Sequence, residues 1–191
     1  VLSEYGQELL RATNPQGMER RRICISRYLY DFRRVEAEPE QIFIGAGTEY
    51  LLGLLIQLLG TEKRYAVEDP GYPRVHRILT NYGLKPAYIP VDEEGMRVEG
   101  LRQSGAQVVH VTPSHQFPLG ITMPAGRRVK LLNWAYAADD RYIIEDDYDS
   151  EFRYNSKPIP AVQSIDGKGR VIYLGTFSKT VAPSIRISYM V

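Results

Sequence analysis

The sequence predicts an α/β domain of three layers, with helices on both faces of a mostly parallel sheet. Two observations predict it. Apolar, strand-like runs alternate with helical runs along most of the 191 residues, the pattern of parallel strands joined by crossover helices. Residues suited to a binding site (Gly47, Tyr72, His115, Asp146 and Lys179) each come just past such a strand. In sheets of this kind ligands gather at the carboxyl ends of the strands.

Residues 17–34 carry Ile23, Ile25, Tyr28, Leu29 and Phe32 at helical spacing, so a helix is predicted there. Pro39 breaks the chain, and 41–44 reads as a short strand. Gly45-Ala46-Gly47 turns that strand into a leucine-rich helix starting near Thr48. Residues 64–67 form the next strand and 69–71, Asp-Pro-Gly, a turn. A helix through Val75, Ile78 and Leu79 ends near Gly83. A strand at 87–90, a looser segment and a strand at 107–111 follow. Pro124 takes the first position of a helix reaching about Ala138, since a missing N–H costs nothing there. Strands at 142–146 and 170–174 flank a loop rich in Tyr and Pro, and 186–191 is again strand-like. No internal repeat or low-complexity segment is visible.

The length suits one domain with a sizeable core, and 43% hydrophobic with 25% charged residues is ordinary for a soluble globular protein. A net charge of +1 argues against a surface built mainly for nucleic acid or anionic membrane. The basic run Arg20-Arg21-Arg22 reads as the solvated face of a helix. Cys24 is the only cysteine, which excludes an intrachain disulfide and a thiolate metal site and suggests the reducing cytoplasm. The apolar stretch 51–59, interrupted by Gly53 and Gln57, is too short to cross a bilayer. No signal peptide is visible. The chain opens at Val1 with no initiator methionine and stops at Val191 within a strand-like run, so it reads as a fragment of a longer protein.

Lys179 follows an apolar strand and the hydroxyls of Thr176 and Ser178, with Arg186 seven residues on; Asp146 and Tyr148 close another strand. An amine, a carboxylate, a phenol, hydroxyls and an arginine are what holding pyridoxal phosphate requires. The amine bonds the aldehyde, the carboxylate keeps the ring nitrogen protonated, and the hydroxyls and arginine take the phosphate. Asp146 and Tyr148, two apart on extended chain, share one face. A lysine amine is protonated at its ordinary pKa of about 10.4; desolvation and Arg186 would both lower it. The alternatives are a surface lysine, and a solvated acidic turn or magnesium site at Glu145, Asp146, Asp147 and Asp149.

Gly45-Ala46-Gly47-Thr48 resembles a phosphate turn. It fails as a dinucleotide fingerprint, because Tyr50 stands at the third glycine position, and as a Walker loop, because no Gly-Lys-Ser/Thr follows. Tyr72 could stack on a flat cofactor and Arg74 could clamp a ligand carboxylate; the alternative is an exposed turn with a packed tyrosine. His115 lies in the run 113–120, Pro-Ser-His-Gln-Phe-Pro-Leu-Gly. His76 and His110 read as structural.

The run 176–186, Thr-Phe-Ser-Lys-Thr-Val-Ala-Pro-Ser-Ile-Arg, resembles the lysine motif of fold-type I, aspartate-aminotransferase-like proteins. More narrowly, segments 113–118, 145–154 and 175–190 resemble the aminotransferase-like domain of MocR-type regulators of the GntR family, the GabR-like group. The resemblance runs over essentially the whole chain. It implies the large domain of that fold, with the Schiff-base lysine at Lys179, Asp146 under the ring nitrogen, Tyr148 at the ring hydroxyl and Tyr72 against the ring face. Arg74 falls near a ligand carboxylate, His115 at the cofactor, and Gly47, Thr48, Glu49, Thr176, Ser178 and Arg186 around the phosphate. Such regulators join a winged helix-turn-helix DNA reader to this domain and assemble as homodimers, so reader and smaller C-terminal domain would lie outside residues 1–191. One departure stands out: aminotransferases of this fold carry Asn-Pro-x-Gly where this chain has Phe117-Pro118-Leu119-Gly120, so the amide that would bond the ring hydroxyl is missing.

The favoured expectation is therefore a cytoplasmic, pyridoxal 5'-phosphate-binding, effector-sensing domain of a transcriptional regulator. It would form an internal aldimine at Lys179 and exchange it with an amino-acid-like or amine ligand. The rival is a genuine pyridoxal phosphate-dependent aminotransferase; the third reading is an α/β binding domain without the cofactor.

Overall fold

Neighbouring residues on the central strands point to opposite faces, and each face has its own core. Val108 and Ile144 pack with Leu51, Leu55 and Leu79, whereas Val109 and Ile143 pack with Leu101, Leu131 and Trp134. This division produces three layers from one sheet. The computed structural model describes residues 14–149, 160–178 and 186–191.

The described elements run α1 (Glu19–Arg33), β1 (Phe43–Gly45), α2 (Thr48–Leu59), β2 (Tyr65–Asp69), α3 (Pro73–Asn81), β3 (Ala87–Asp92), β4 (Gly95–Met96), α4 (Val98–Gln103), β5 (Val108–Val111), α5 (Ala125–Tyr136), β6 (Tyr142–Asp147), β7 (Val171–Thr176) and β8 (Ser188–Met190). They form one eight-stranded sheet in the order β1-β8-β7-β6-β5-β2-β3-β4. The neighbours β7, β6, β5, β2 and β3 pair in parallel. β8 is antiparallel to both β7 and β1, and β4 to β3. Helices α2 and α3 cover one face. α4 and α5 cover the other, joined by α1, whose Ile25 and Leu29 pack on Tyr173 and Tyr189.

The predicted elements are present, with local differences. The strand expected at 41–44 begins only at Phe43, because Pro39–Gln41 forms a 3-10 turn closed by reciprocal bonds between Glu38 and Gln41. The looser segment after β3 holds two further elements, β4 and α4, too short to show a period. Pro124 is the N-cap of α5, outside its first turn. The basic run of α1 is split: Arg22 is buried and donates to the Gly17 and Pro39 carbonyls, while Arg20 and Arg21 are exposed. Among the described residues no helix is long and apolar enough to cross a membrane.

Candidate cofactor site

Three consecutive acids on β6 show how the site is made. Glu145, Asp146 and Asp147 alternate across the sheet, and all are buried. Glu145 accepts from the amides of Val162 and Gln163 at 2.9 Å each and lies 3.9 Å from Arg128. Asp147 meets the Arg33 guanidinium at 2.7 Å and the Tyr173 hydroxyl. Asp146 faces the other way, into a cleft of about 670 Å³ at the carboxyl ends of the strands. Its Oδ2 lies 3.3 Å from His110 Nε2, while its Oδ1 is buried with no hydrogen-bond partner among the described residues. A bare buried carboxylate oxygen costs free energy unless a donor reaches it. These placements rule out a solvated acidic turn, and no cluster of metal-binding residues occurs among the described residues.

At one end of the cleft the chain leaves β1 through Gly47, which has φ 113 and ψ 156. A Cβ there would lie 2.5 Å from Arg186 Nη2, so only glycine lets the guanidinium seat against the turn that starts α2. Hydroxyls gather beside it. Ser188 donates to Thr176 Oγ1 at 2.9 Å, and Thr176 Oγ1 is 3.2 Å from Ser178 Oγ. An anion-binding end results, with a cation, three hydroxyls and a helix N-terminus.

Aromatic rings form the walls. Tyr72 and Phe117 meet edge to face at 5.2 Å. Gln116, buried, donates to the carbonyls of Pro70 and Phe117 at 2.8 and 2.7 Å and so ties their two loops together. Thr112 donates to the buried Glu68 at 2.6 Å from its hydroxyl and 3.1 Å from its amide. Burial raises the Glu68 carboxyl above its ordinary value. Tyr148 stacks on His115, whose Nδ1 bonds Asp149. Burial, then the Asp149 and Asp146 charges, push the Tyr148 hydroxyl up, so it stays a neutral donor at physiological pH. At the mouth Arg74 and Glu49 pair at 2.7 Å.

Ten of the residues read from sequence line this one cleft: Gly47, Thr48, Glu49, Tyr72, Arg74, Asp146, Tyr148, Thr176, Ser178 and Arg186. His115 is not among the lining residues and backs the Tyr148 ring instead. Lys179 lies outside the described residues. Sequence reasoning missed Thr112 and Ser188, named Asp149 only as part of an acidic turn or magnesium site, and took His110 for structural, whereas its imidazole reaches Asp146. Phe117, noted only as a missing amide, is a wall of the cleft. The His110 signal is cross-strand: its register partner on β6 is Ile144, two residues before Asp146 on the same face.

The residues fit pyridoxal phosphate: the unpartnered Asp146 oxygen suits a ring N–H, and the Gly47–Arg186 cradle with its hydroxyls suits a phosphate. Comparison with known proteins bears on the same point. The model of the family Aminotransferase class I and II matches residues 3–191. The uncharacterized HTH-type transcriptional regulator YdeL of Bacillus subtilis (strain 168) is 46% identical over 190 residues, 100% of this chain and 41% of that protein. The probable rhizopine catabolism regulatory protein MocR of Rhizobium meliloti is 40% identical over 176 residues, 92% of this chain and 36% of that one. A Pyrococcus horikoshii kynurenine aminotransferase crystallised in complex with PMP aligns at TM-score 0.87 and 32% identity, over 99% of this chain and 49% of that one. The chain thus spans about two fifths of the length of the curated relatives it matches.

Proposed function

Since the chain belongs to the aminotransferase class I and II family, we propose that it is the pyridoxal 5'-phosphate-binding, effector-sensing domain of an HTH-type transcriptional regulator. The observation that carries the cofactor is the buried Oδ1 of Asp146 in the cleft, which has no hydrogen-bond partner among the described residues. The regulatory half rests on likeness to YdeL and MocR, both named as regulators. In the intact protein a separate domain would read DNA, and the whole would assemble as a homodimer.

When bound, pyridoxal phosphate supplies an aldehyde that an amine can bond and a protonated ring that draws electrons from it. The chain's own groups have separable tasks. Asp146 Oδ1 would hold the proton on the ring nitrogen, while His110 fixes the other oxygen of the same carboxylate. Arg186, Thr176, Ser178 and the amides after Gly47 would hold the phosphate. Tyr72 would lie against the ring, and Tyr148 would offer its hydroxyl to the ring oxygen. Lys179 would be the residue that holds the aldehyde, and Arg74 would receive the carboxylate of an amino-group ligand. Phe117, at the place where enzymes of this fold resemble one another in carrying an asparagine, offers no amide to the ring oxygen. That difference suits a sensor better than an efficient transaminase.

The test is spectroscopic. Intact protein given pyridoxal phosphate should develop an absorption band that Lys179→Ala abolishes and Asp146→Ala weakens; a band indifferent to Lys179→Ala would sink the assignment. Sustained keto-acid production from an amino donor at about one turnover per second or faster would shift the reading to an aminotransferase.

A further inference from the structure

Helix α1 lies on the face of the sheet away from the cleft, yet it touches three of the segments that line it. Arg33 Nε is 2.7 Å from Asp147 Oδ2, and Asp147 stands between Asp146 and Tyr148. Arg33 Nη2 donates to Ser114 Oγ at 2.7 Å, and Ser114 precedes His115, which backs Tyr148. Tyr28 packs its ring edge-on against Phe177 at 5.5 Å, and Phe177 stands between Thr176 and Ser178. Each contact is one residue from a cleft group or its backing. Arg33 is itself buried. Burial pulls its pKa down, but its acidic neighbours, the Asp147 carboxylate foremost, outweigh that and leave it raised.

Arg33 spans two segments that arrive from different strands, β5 and β6. We propose that Arg33 is a positioning residue: with Tyr28 it ties α1 to the backs of the segments carrying Asp146, His115, Thr176 and Ser178. Filling the cleft and ordering α1 are then one coupled event. The inference rests on the cofactor reading above. Because coupling between two binding or ordering events is reciprocal, whatever factor the cofactor adds to α1 protection must be lost from cofactor affinity when the tie is cut.

The experiment uses the intact protein, with and without pyridoxal phosphate, and two readouts: amide hydrogen exchange across residues 19–33, and cofactor affinity from spectral titration. The parent should show slower α1 exchange on adding cofactor. Arg33→Met should weaken cofactor binding roughly tenfold, the loss expected for one charged hydrogen bond, shift the absorption maximum, and erase the cofactor-dependent protection. Arg33→Lys should recover part of both. Ser114→Ala, which spares the ion pair and the fold, should still loosen the cofactor a few-fold. A merely structural arginine would lower Tm in Arg33→Met while leaving affinity, band position and the protection difference unchanged in Ser114→Ala and Arg33→Lys; that result overturns the proposal. Failure of the parent to take up cofactor is a separate outcome, which removes the functional reading and this inference with it.

Discussion

Replacing Gly47 by alanine separates two roles of one turn. Its backbone, at φ 113 and ψ 156, lies in a region that essentially only glycine adopts, and forcing a side chain into it costs about 1–3 kcal/mol. The new Cβ would also lie 2.5 Å from Arg186 Nη2. That atom ends a flexible side chain, so the guanidinium swings aside and adds little to the stability loss. A phosphate in the cleft then lacks a charged partner worth about 1.5–3 kcal/mol, roughly ten- to a hundredfold in affinity. In denaturant titrations without cofactor, Gly47→Ala should therefore fall below the parent by about 1–3 kcal/mol, and Arg186→Ala should match the parent. Titrated with pyridoxal phosphate, both should bind more weakly, and the double variant no more weakly than the worse single one, because both changes act through one guanidinium. Pyridoxal without its phosphate should bind all of them alike. Affinity losses that add in the double variant, or a Gly47→Ala protein that binds like the parent, would refute the reasoning.

Three further outcomes are expected. Arg128→Met removes a buried cation that donates to the Met123, Pro113 and Pro160 carbonyls and stands near Glu145, so unfolding free energy should drop by about 3–5 kcal/mol; a loss below about 1 kcal/mol would mean that Glu145 does not need it. Burial raises the Glu68 carboxyl, so its contribution to stability is fully present below the ordinary glutamate value of about 4.3 and is lost as pH rises through the raised value. Glu68→Gln, which keeps an acceptor for Thr112, should gain on the parent progressively as pH rises from that ordinary value to the raised one and keep a constant advantage above it; parallel pH–stability curves would contradict the shift. The Arg74–Glu49 pair has side chains 58% and 45% exposed, so Glu49→Gln should leave stability unchanged while tightening a carboxylate ligand a few-fold. Weaker carboxylate binding in that variant would show that Glu49 assists the ligand instead of competing for Arg74.

The central fold was legible because β2, β5, β6 and β7 are apolar runs bounded by turns, and because α2 has a clear start at Gly47-Thr48 and α3 follows the Asp-Pro-Gly turn at 69–71. Asp146 and Tyr148 were legible for a local reason, the two-residue alternation of an extended chain. What escaped depends on pairing between distant segments. Ser188 joins the cleft only because β8 lies against β7 with Ser188 opposite Thr176, and no local pattern encodes that register. His110 needed the β5–β6 register, and the partners of Glu145 and Asp147 needed knowledge of which helices cover the far face. The elements β4 and α4 are too brief for periodicity to reveal.

The insertion of β8 between β1 and β7 has a consequence for biosynthesis. Among the described residues strand β1 pairs with no other strand, so it joins the sheet only once residues 188–190 have been made. A nascent chain that has already made Asp146, Tyr148 and Thr176 still lacks Arg186 and Ser188 at the anion end of the cleft. On the proposed function, capture of the vitamin would wait until the sheet is closed.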